Sequence, residues 1–336
     1  MESQLPQEII NKIAQLILIK SEISLQCAKI LGQAHEIPDG NFRFFSSGKM
    51  SMNMLVTHKS KKFVLKIHTL EAFQKSIIRE KWLSEQKTGI VPQILKMGKG
   101  GGVMGDFYFI IQEFVPGKLL DSPDLVVNDQ QIESLAQGIQ NLHTIKRGNH
   151  TGFGKLDESY NGQSANIDEF MKPFEERLAS SDYIDDEMKS RFAEAMKYKR
   201  SNILSYKAAP SLIHADLYPG NILVDPETNT SHVIDFGDIG WGFPERDFAT
   251  LITHDWSQDN LDKFNQLVSE YEKINGGKLD PDMCDLMYIG VGIMKFEKRM
   301  KRKKVPPGIS SPKIPLYDQF LIPLLEKIEL EMAFGG

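Results

Sequence analysis

The chain has 336 residues, a formal net charge of -5, 25% charged residues and 41% hydrophobic residues. Such a length is too great for one small hydrophobic core and is typical of two lobes or domains. A slightly acidic, ordinary globular composition argues against nucleic acid or an anionic membrane as a partner, and no obligate protein partner is evident.

Cysteine usage and the N-terminal residues indicate the compartment. Cys27 and Cys284 lie far apart without metal-ligand residues beside them, so we interpret both as free thiols in a reducing cytosol. The apolar residues near the N-terminus are interrupted by Glu8, Lys12 and Lys20, unlike those of a signal peptide. No stretch is apolar over the length that a membrane span requires. These features predict a cytoplasmic protein.

The first forty residues show helical periodicity. Ile9, Ile13 and Leu16 recur at helical spacing, which predicts N-terminal helices within 6–34 that end before Pro38-Asp-Gly40. The helices are amphipathic, and we expect their apolar face to pack on the domain that follows rather than on a membrane.

Strand patterning follows and places one lysine in an unusual position. The predicted strands are Phe42–Ser46, Met52–His58 and Lys62–His68. Lys66 lies between apolar neighbours on the third strand, where a lysine needs a carboxylate or phosphate partner. A helix predicted over Leu70–Lys87 offers Glu80 as that partner, with Glu85 as the alternative if the helix is rotated.

Two further strands are predicted at Val91–Leu95 and Phe107–Gln112. The glycine-rich segment Gly98–Gly105 joins them, and we interpret it as a flexible hairpin turn rather than a nucleotide loop. Together the strands predict an antiparallel sheet in the first third of the chain.

The remainder is predicted to be mainly helical, and His143 at the end of the first of these helices is interpreted as a core histidine. The predicted helices are Gln130–Ile145, Ile167–Ser180, Asp185–Leu204, Phe248–His254, Leu261–Ile274, Asp280–Lys298 and Tyr317–Ala333.

Two runs of charge have competing interpretations. The acidic run 182–187 could bind a polycationic substrate, or it could be an acidic helix start, which the helix dipole favours. The basic run Lys295–Lys304 could bind nucleic acid, but it lacks interleaved aromatic residues, and we interpret it as a solvated helix end.

The segments Leu212–Val224 and Val233–Asp238 carry the chemistry. The turn formers between them predict a hairpin. Symmetry about Thr228 predicts three pairs, Ile222 with Ile234, Val224 with His232, and Asn221 with Asp235. An amide beside a carboxylate supplies hard oxygen ligands that suit Mg²⁺, and Asp216 on the preceding loop can accept a proton from an attacking hydroxyl. This arrangement is typical of phosphoryl transfer.

These residues also carry a family resemblance. His214-x-Asp216-x-x-x-x-Asn221, followed by Ile234-Asp235-Phe-Gly-Asp238, resembles the signature of the aminoglycoside phosphotransferase and choline-kinase-like family. His-Ala-Asp replaces the His-Arg-Asp of protein kinases, and no Ala-Pro-Glu segment follows, so the small-molecule branch is favoured. The resemblance covers about residues 42–250. Within it, the segment Pro244–Phe248 is similar to the corresponding segment of antibiotic kinases.

The resemblance implies an α+β, bilobal protein-kinase-like fold. Its parts would be a small antiparallel-sheet N-lobe at 1–113, a hinge at 114–117 and a mainly helical C-lobe at 118–336. In the family, the nucleotide lies in the cleft between the two lobes.

The resemblance also implies a role for each matching residue. Asp216 would be catalytic, Asn221 and Asp235 would bind the metal, and Asp247 would be a structural carboxylate that holds the catalytic loop. The implied nucleotide-binding residues are Gly48, Ser51, Lys66, Glu80, Glu113 and Val115, and the implied supporting residues are His214, Asp238 and Asp247.

The function implied is that of a Mg²⁺-dependent phosphotransferase (kinase) with an alcohol group as acceptor. The γ-phosphate would come from ATP or GTP, and the first expected acceptor is an aminoglycoside-type antibiotic. A metabolic kinase for choline, an amino-sugar or a similar small alcohol is the alternative. A protein kinase agrees less well with the sequence, because no Ala-Pro-Glu segment is present. A non-catalytic nucleotide-binding module also agrees less well, because Lys66, Asp216, Asn221 and Asp235 are all present.

Overall fold

The protein forms two compact units, Met1–Val115 and Pro116–Gly336. In the computed structural model the described residues are 42–44, 51–58, 61–68, 79–86, 92–102, 105–203, 210–303 and 316–334. The predicted N-terminal helices at 6–34, Cys27 and the loop residue Gly48 lie outside them. The assignment of 114–117 as a hinge stays a prediction.

The first unit contains a five-stranded antiparallel sheet in the order β1-β2-β3-β5-β4. Alternate residues of its central strands are buried, which is the period of a half-buried strand. The strands are β1 (Phe42–Phe44), β2 (Ser51–His58), β3 (Lys61–His68), β4 (Ile94–Gly102) and β5 (Gly105–Glu113). Helix α1, described over 79–85, lies between β3 and β4 in sequence.

The glycine-rich segment corrects one prediction. Gly98–Gly102 belongs to β4 and pairs with β5 down to Gly105, so the predicted flexible turn is wrong for these residues. A Cβ on Gly98 would lie 2.6 Å from the Phe109 ring, so glycine at this position lets the buried aromatic ring approach the backbone.

The second unit is mainly helical, with two small sheets. Its strands are β6 (Lys118–Leu119), β7 (Phe153–Leu156), β8 (Gly162–Ser164), β9 (Ser211–Ile213), β10 (Ile222–Asp225), β11 (Thr230–Val233) and β12 (Gly240–Gly242). Its helices are α2 (Asp129–His143), α3 (Ile167–Ala179), α4 (Asp186–Asn202), α5 (Pro244–Ile252), α6 (Asp255–Asp259), α7 (Leu261–Asn275), α8 (Pro281–Arg302) and α9 (Ile322–Phe334). None of the helices in the described ranges is long and apolar enough to cross a membrane.

Helix α8 is the central element of the second unit's core. Gly290 lets the Phe174 ring approach, since a Cβ there would lie 2.8 Å from it. Phe296 stacks on Tyr317 with ring centroids 4.6 Å apart. Asp280 caps the start of α8 by accepting a hydrogen bond from the Met283 N–H at 2.8 Å.

The C-terminal helix also differs from its prediction. The stretch predicted as one helix is a π-helical turn, Leu316–Leu321, followed by α9. Pro323 stands at the second position of α9 and has no N–H to donate to the preceding turn, which accounts for the change of hydrogen-bond pattern.

A buried lysine joins three helices of this unit. Lys199 of α4 lies 2.8 Å from carboxylate oxygens of Asp282 and Asp285 on α8 and 2.5 Å from Glu331 on α9. Burial opposes its charge, but hydrogen bonds to the three carboxylates outweigh that effect and raise the pKa of Lys199. The lysine ammonium takes the place that a metal ion would need among these acids. We therefore interpret the cluster as structural.

Candidate active site

The hairpin formed by β10 and β11 differs by one residue from the predicted register. The observed pairs are Ile222 with Val233, Leu223 with His232, Val224 with Ser231 and Asp225 with Thr230. Asn229 adopts a left-handed conformation with φ 56°, and Asp225 accepts hydrogen bonds from the Glu227 N–H and the Thr228 hydroxyl, both at 2.9 Å. This closed four-residue loop moves the centre of symmetry away from Thr228.

The predicted pairing of Asn221 with Asp235 is therefore wrong as a register. The Ile234 N–H donates to the Asn221 carbonyl oxygen at 2.9 Å, so Asn221 lies opposite Ile234. Asp235 is the next residue, exposed and left-handed with φ 64° and ψ 63°. The two predicted metal ligands still come from chain segments joined by this hydrogen bond.

Asn221 presents its side-chain oxygen because its amide nitrogen is already engaged. Its Nδ2 donates to the Asp216 carbonyl oxygen at 3.0 Å, and the residue is buried at the end of the 3₁₀ helix Pro219–Asn221. An amide oxygen and a carboxylate are the hard donors that Mg²⁺ prefers. The donor set of Asn221 and Asp235 therefore fits the implied ion.

Asp247 holds the backbone of the catalytic loop. This fully buried carboxylate accepts hydrogen bonds from the N–H groups of His214 at 2.7 Å and Ala215 at 2.8 Å. It also pairs with His143 Nε2 at 3.0 Å. Burial opposes the ionised form, but the hydrogen bond from His143 and the other partners lower the pKa of Asp247 overall. The loop is thus anchored with Ala215 in a left-handed conformation, φ 64°.

His214 links the catalytic loop to the segment that carries Asp235. Its Nδ1 accepts a hydrogen bond from the Asp216 N–H at 3.3 Å, and its Nε2 lies 2.9 Å from the Ile234 carbonyl oxygen. These partners assign the proton to Nε2, since Nδ1 has to be the acceptor. His214 is fully buried, and we interpret it as a residue that sets the position of both segments.

Asp216 lies beside a lysine that the sequence interpretation missed. Lys295 of α8 has its Nζ 3.8 Å from Asp216 Oδ1 and 5.6 Å from the centroid of the Tyr218 ring. Burial raises the pKa of Asp216, and the charge of Lys295 acts in the opposite direction. The interpretation of the run 295–304 as a solvated helix end is therefore wrong for Lys295.

Arg299, one turn further along α8, is also engaged rather than solvated. Its Nη2 donates to the Thr253 carbonyl oxygen at 3.1 Å and lies 2.9 Å from an Asp255 carboxylate oxygen. The helical spacing of Lys295 and Arg299 was the signal that the two side chains share one face. What that face contacts depends on tertiary packing, which the spacing alone does not give.

In the first unit, Lys66 and Glu80 form the predicted ion pair. Lys66 Nζ lies 3.3 Å and 3.4 Å from the two carboxylate oxygens of Glu80, which is buried on α1. The alternative partner, Glu85, is exposed and pairs with Lys81 at 3.8 Å. Glu80 therefore fixes the position of the Lys66 ammonium group.

Two of the remaining predicted residues, Ser51 and Glu113, lie at the ends of strands. Ser51 begins β2, and Glu113 ends β5 with its N–H donating to the Gln93 carbonyl oxygen at 3.0 Å. Val115 follows two residues later. Asp238 is exposed and forms an ion pair with Lys155.

A surface cavity of about 820 Å³ lies elsewhere, between α3 and α4. Its lining includes Arg200, which pairs with Asp168 and with Glu175. None of the predicted site residues lines it. We therefore assign it no role in the reaction.

Several solved structures share the fold of this chain. A thermostable mutant of aminoglycoside phosphotransferase APH(4)-Ia in complex with AMP-PNP and hygromycin B has a TM-score of 0.63 at 14% identity, covering 92% of this chain and 97% of that one. The kanamycin and GDP complex of APH(2")-IIia gives 0.58 at 15% identity, covering 92% and 98%. The microcompartment-associated aminopropanol kinase gives 0.56 at 17% identity, covering 87% and 92%.

These likenesses confirm the predicted fold class, an α+β fold of the kinase-like type. The family follows from the sequence profile: residues 41–280 match the phosphotransferase enzyme family APH, and the chain belongs to that family. The chain is accordingly a phosphotransferase. No curated protein sequence matches it.

Proposed function

We propose that the protein is a Mg²⁺-dependent kinase that transfers the γ-phosphate of ATP or GTP to a hydroxyl of a small molecule. The observation that supports this most is the buried network of Asp247, His214 and Asn221 around the Asp216 backbone. Such a network would hold a proton acceptor and two oxygen ligands in a constant arrangement, and phosphoryl transfer depends mostly on such positioning.

Asp216 is the proton acceptor in this proposal. The acceptor hydroxyl gives its proton to the Asp216 carboxylate while its oxygen bonds to the γ-phosphorus. The bond from that phosphorus to the β–γ bridging oxygen breaks, and its electron pair leaves with the nucleoside diphosphate. Asn221 and Asp235 would hold Mg²⁺, which when bound neutralises charge on the phosphates.

The nucleotide contacts are proposed from the first unit and the segment after it. Lys66, oriented by Glu80, binds the phosphates, and backbone groups of Glu113 and Val115 bind the base. Gly48 and Ser51 are proposed as phosphate neighbours on the family resemblance alone. A nucleoside triphosphate as co-substrate agrees with a cytoplasmic location.

Two classes of acceptor remain candidates. An aminoglycoside, and with it a role in antibiotic resistance, is supported by the names of the similar structures with hygromycin B and kanamycin. A smaller metabolic alcohol is supported by the lysine beside Asp216, which disfavours a polycation there. The acidic residue Asp185 does not favour the aminoglycoside, because it caps α4 by accepting from the Met188 N–H at 2.8 Å.

The test is a screen of nucleoside diphosphate release. The purified protein is incubated with Mg²⁺ and ATP or GTP, and aminoglycosides, macrolides, choline, amino-sugars and hydroxy acids are added one at a time. We expect acceptor-dependent release with at least one class and none without Mg²⁺. No acceptor-dependent release with any class, together with no binding of the Mg²⁺ nucleotide, would reject the proposal.

A further inference from the structure

Four basic residues lie on one face of helix α8. Lys295, Lys298, Arg299 and Arg302 are spaced by three, four and seven residues from the first, which places them along the same side of an α-helix. Lys295 at the start of this basic face contacts Asp216, so the face begins at the proposed proton acceptor.

The first and third of these charges are neutralised. Lys295 lies 3.8 Å from Asp216, and Arg299 lies 2.9 Å from Asp255. Their side chains are only 22% and 21% exposed, so both are held in place rather than extended into solvent. Asp216 and Asp255 are therefore already paired with cations of the protein, which leaves them less available to a cationic ligand.

The second and fourth charges, Lys298 and Arg302, have no such partner. Within the described ranges, no carboxylate lies at ion-pair distance from either side chain, and both are exposed. Lys298 follows Lys295 by three residues and Arg302 follows Lys298 by four, so both lie on the helix face whose first residue contacts Asp216.

This charge pattern is unsuited to a polycationic acceptor. An ammonium group brought to Asp216 would approach Lys295, whose Nζ lies 3.8 Å from Asp216 Oδ1, and like charges at such a distance disfavour binding. A carboxylate or phosphate group on the acceptor would instead meet two unpaired cations one helical turn apart, a spacing suited to bridging an anion.

We propose that the acceptor carries an anionic group, a carboxylate or a phosphate, which Lys298 and Arg302 bind while its hydroxyl lies at Asp216. This inference rests on the proposed kinase function and specifies the substrate class of the same site. Lys295 and the two exposed residues have different roles. Lys295 pairs with Asp216, and Lys298 and Arg302 bind the anion.

The first arm of the test is equilibrium binding of inorganic phosphate by titration calorimetry at low ionic strength. The Lys298→Gln/Arg302→Gln double variant should bind phosphate about tenfold more weakly than the wild type, because two exposed charges are lost. The matched control is Lys146→Gln/Lys197→Gln, which removes the same net charge from exposed lysines outside α8. Binding that is absent in the wild type, or equal in both double variants, would overturn the inference.

The second arm compares three-carbon acceptors in the turnover assay: glycerate, glycerol 3-phosphate, glycerol and 3-amino-1,2-propanediol, with kanamycin as the polycation. We expect turnover with glycerate or glycerol 3-phosphate. The acceptor that reacts shows whether the anionic group is a carboxylate or a phosphate. Turnover with kanamycin or the amino alcohol alone contradicts the inference. If no acceptor reacts, the phosphate titration decides the inference, and a separate titration with AMP-PNP and Mg²⁺ decides the proposed function.

Discussion

At the scale of single residues, the ionisation of Asp216 depends on Lys295. Burial raises the pKa of Asp216, and the ammonium of Lys295 limits that rise. Since a proton acceptor has to be ionised, activity should fall as the pH falls through this raised pKa.

Replacing Lys295 by methionine should therefore move the acid limb of the kcat profile to higher pH. The opposing charge is lost while the side-chain bulk is kept, so the pKa of Asp216 rises further. The measurement is kcat against pH for the wild type, Lys295→Met and the control Lys303→Met, an exposed residue at the same helix end. An acid limb that stays in place in Lys295→Met would show that this lysine does not act on Asp216.

The pair of metal ligands gives a second prediction at this scale. Asp235→Asn should raise the Mg²⁺ concentration needed for half-maximal activity, because a neutral amide binds a hard cation more weakly than a carboxylate. It should weaken nucleotide binding with Mg²⁺ present and leave it unchanged with EDTA. The control is Asp259→Asn, an exposed residue outside the motif. An unchanged Mg²⁺ requirement in Asp235→Asn would remove Asp235 from the metal site.

At the scale of elements, the buried Lys199 makes a stability prediction. Lys199→Met should lower the free energy of unfolding by about 3 kcal/mol, because Asp282 loses its lysine partner and Asp285 and Glu331 keep only Lys327. Urea unfolding followed by circular dichroism measures this change. The exposed neighbour Lys197→Met should change the free energy by less than about 0.5 kcal/mol. Equal effects of the two substitutions would show that the cluster contributes little.

The elements also show what the sequence could predict. The position of Lys66 opposite Glu80 followed from burial of a charge on a strand and the helix after it, both of which are local patterns. The hairpin register could not be predicted, because Asp225 and Asn229 close a loop that shifts every pair by one residue. The basic face of α8 was visible as a spacing, but its contact with Asp216 depends on how α8 packs in the second unit.

At the scale of the whole molecule, the fold class was predictable because its signals are redundant. Apolar and polar residues alternate in the first third of the chain, and apolar residues recur at helical spacing in the rest, so each pattern indicates its own type of structure. The two compact units of the structure follow this change of pattern. The whole-chain charge of -5 could not show that Lys295 lies beside Asp216, since a net charge does not locate any single charged group.

In the proposed reaction, the chain moves a phosphate from a nucleotide to a hydroxyl with Asp216 as proton acceptor. The most direct measurement follows the label from γ-³²P-ATP and γ-³²P-GTP into the acceptor panel, with the wild type and Asp216→Asn at equal nucleotide occupancy. We expect labelled acceptor with the wild type and a loss of about 10²–10⁴-fold with Asp216→Asn, while AMP-PNP binding is retained. Labelling by Asp216→Asn at more than about a tenth of the wild-type rate, with chemistry rate-limiting, would exclude Asp216 as the proton acceptor.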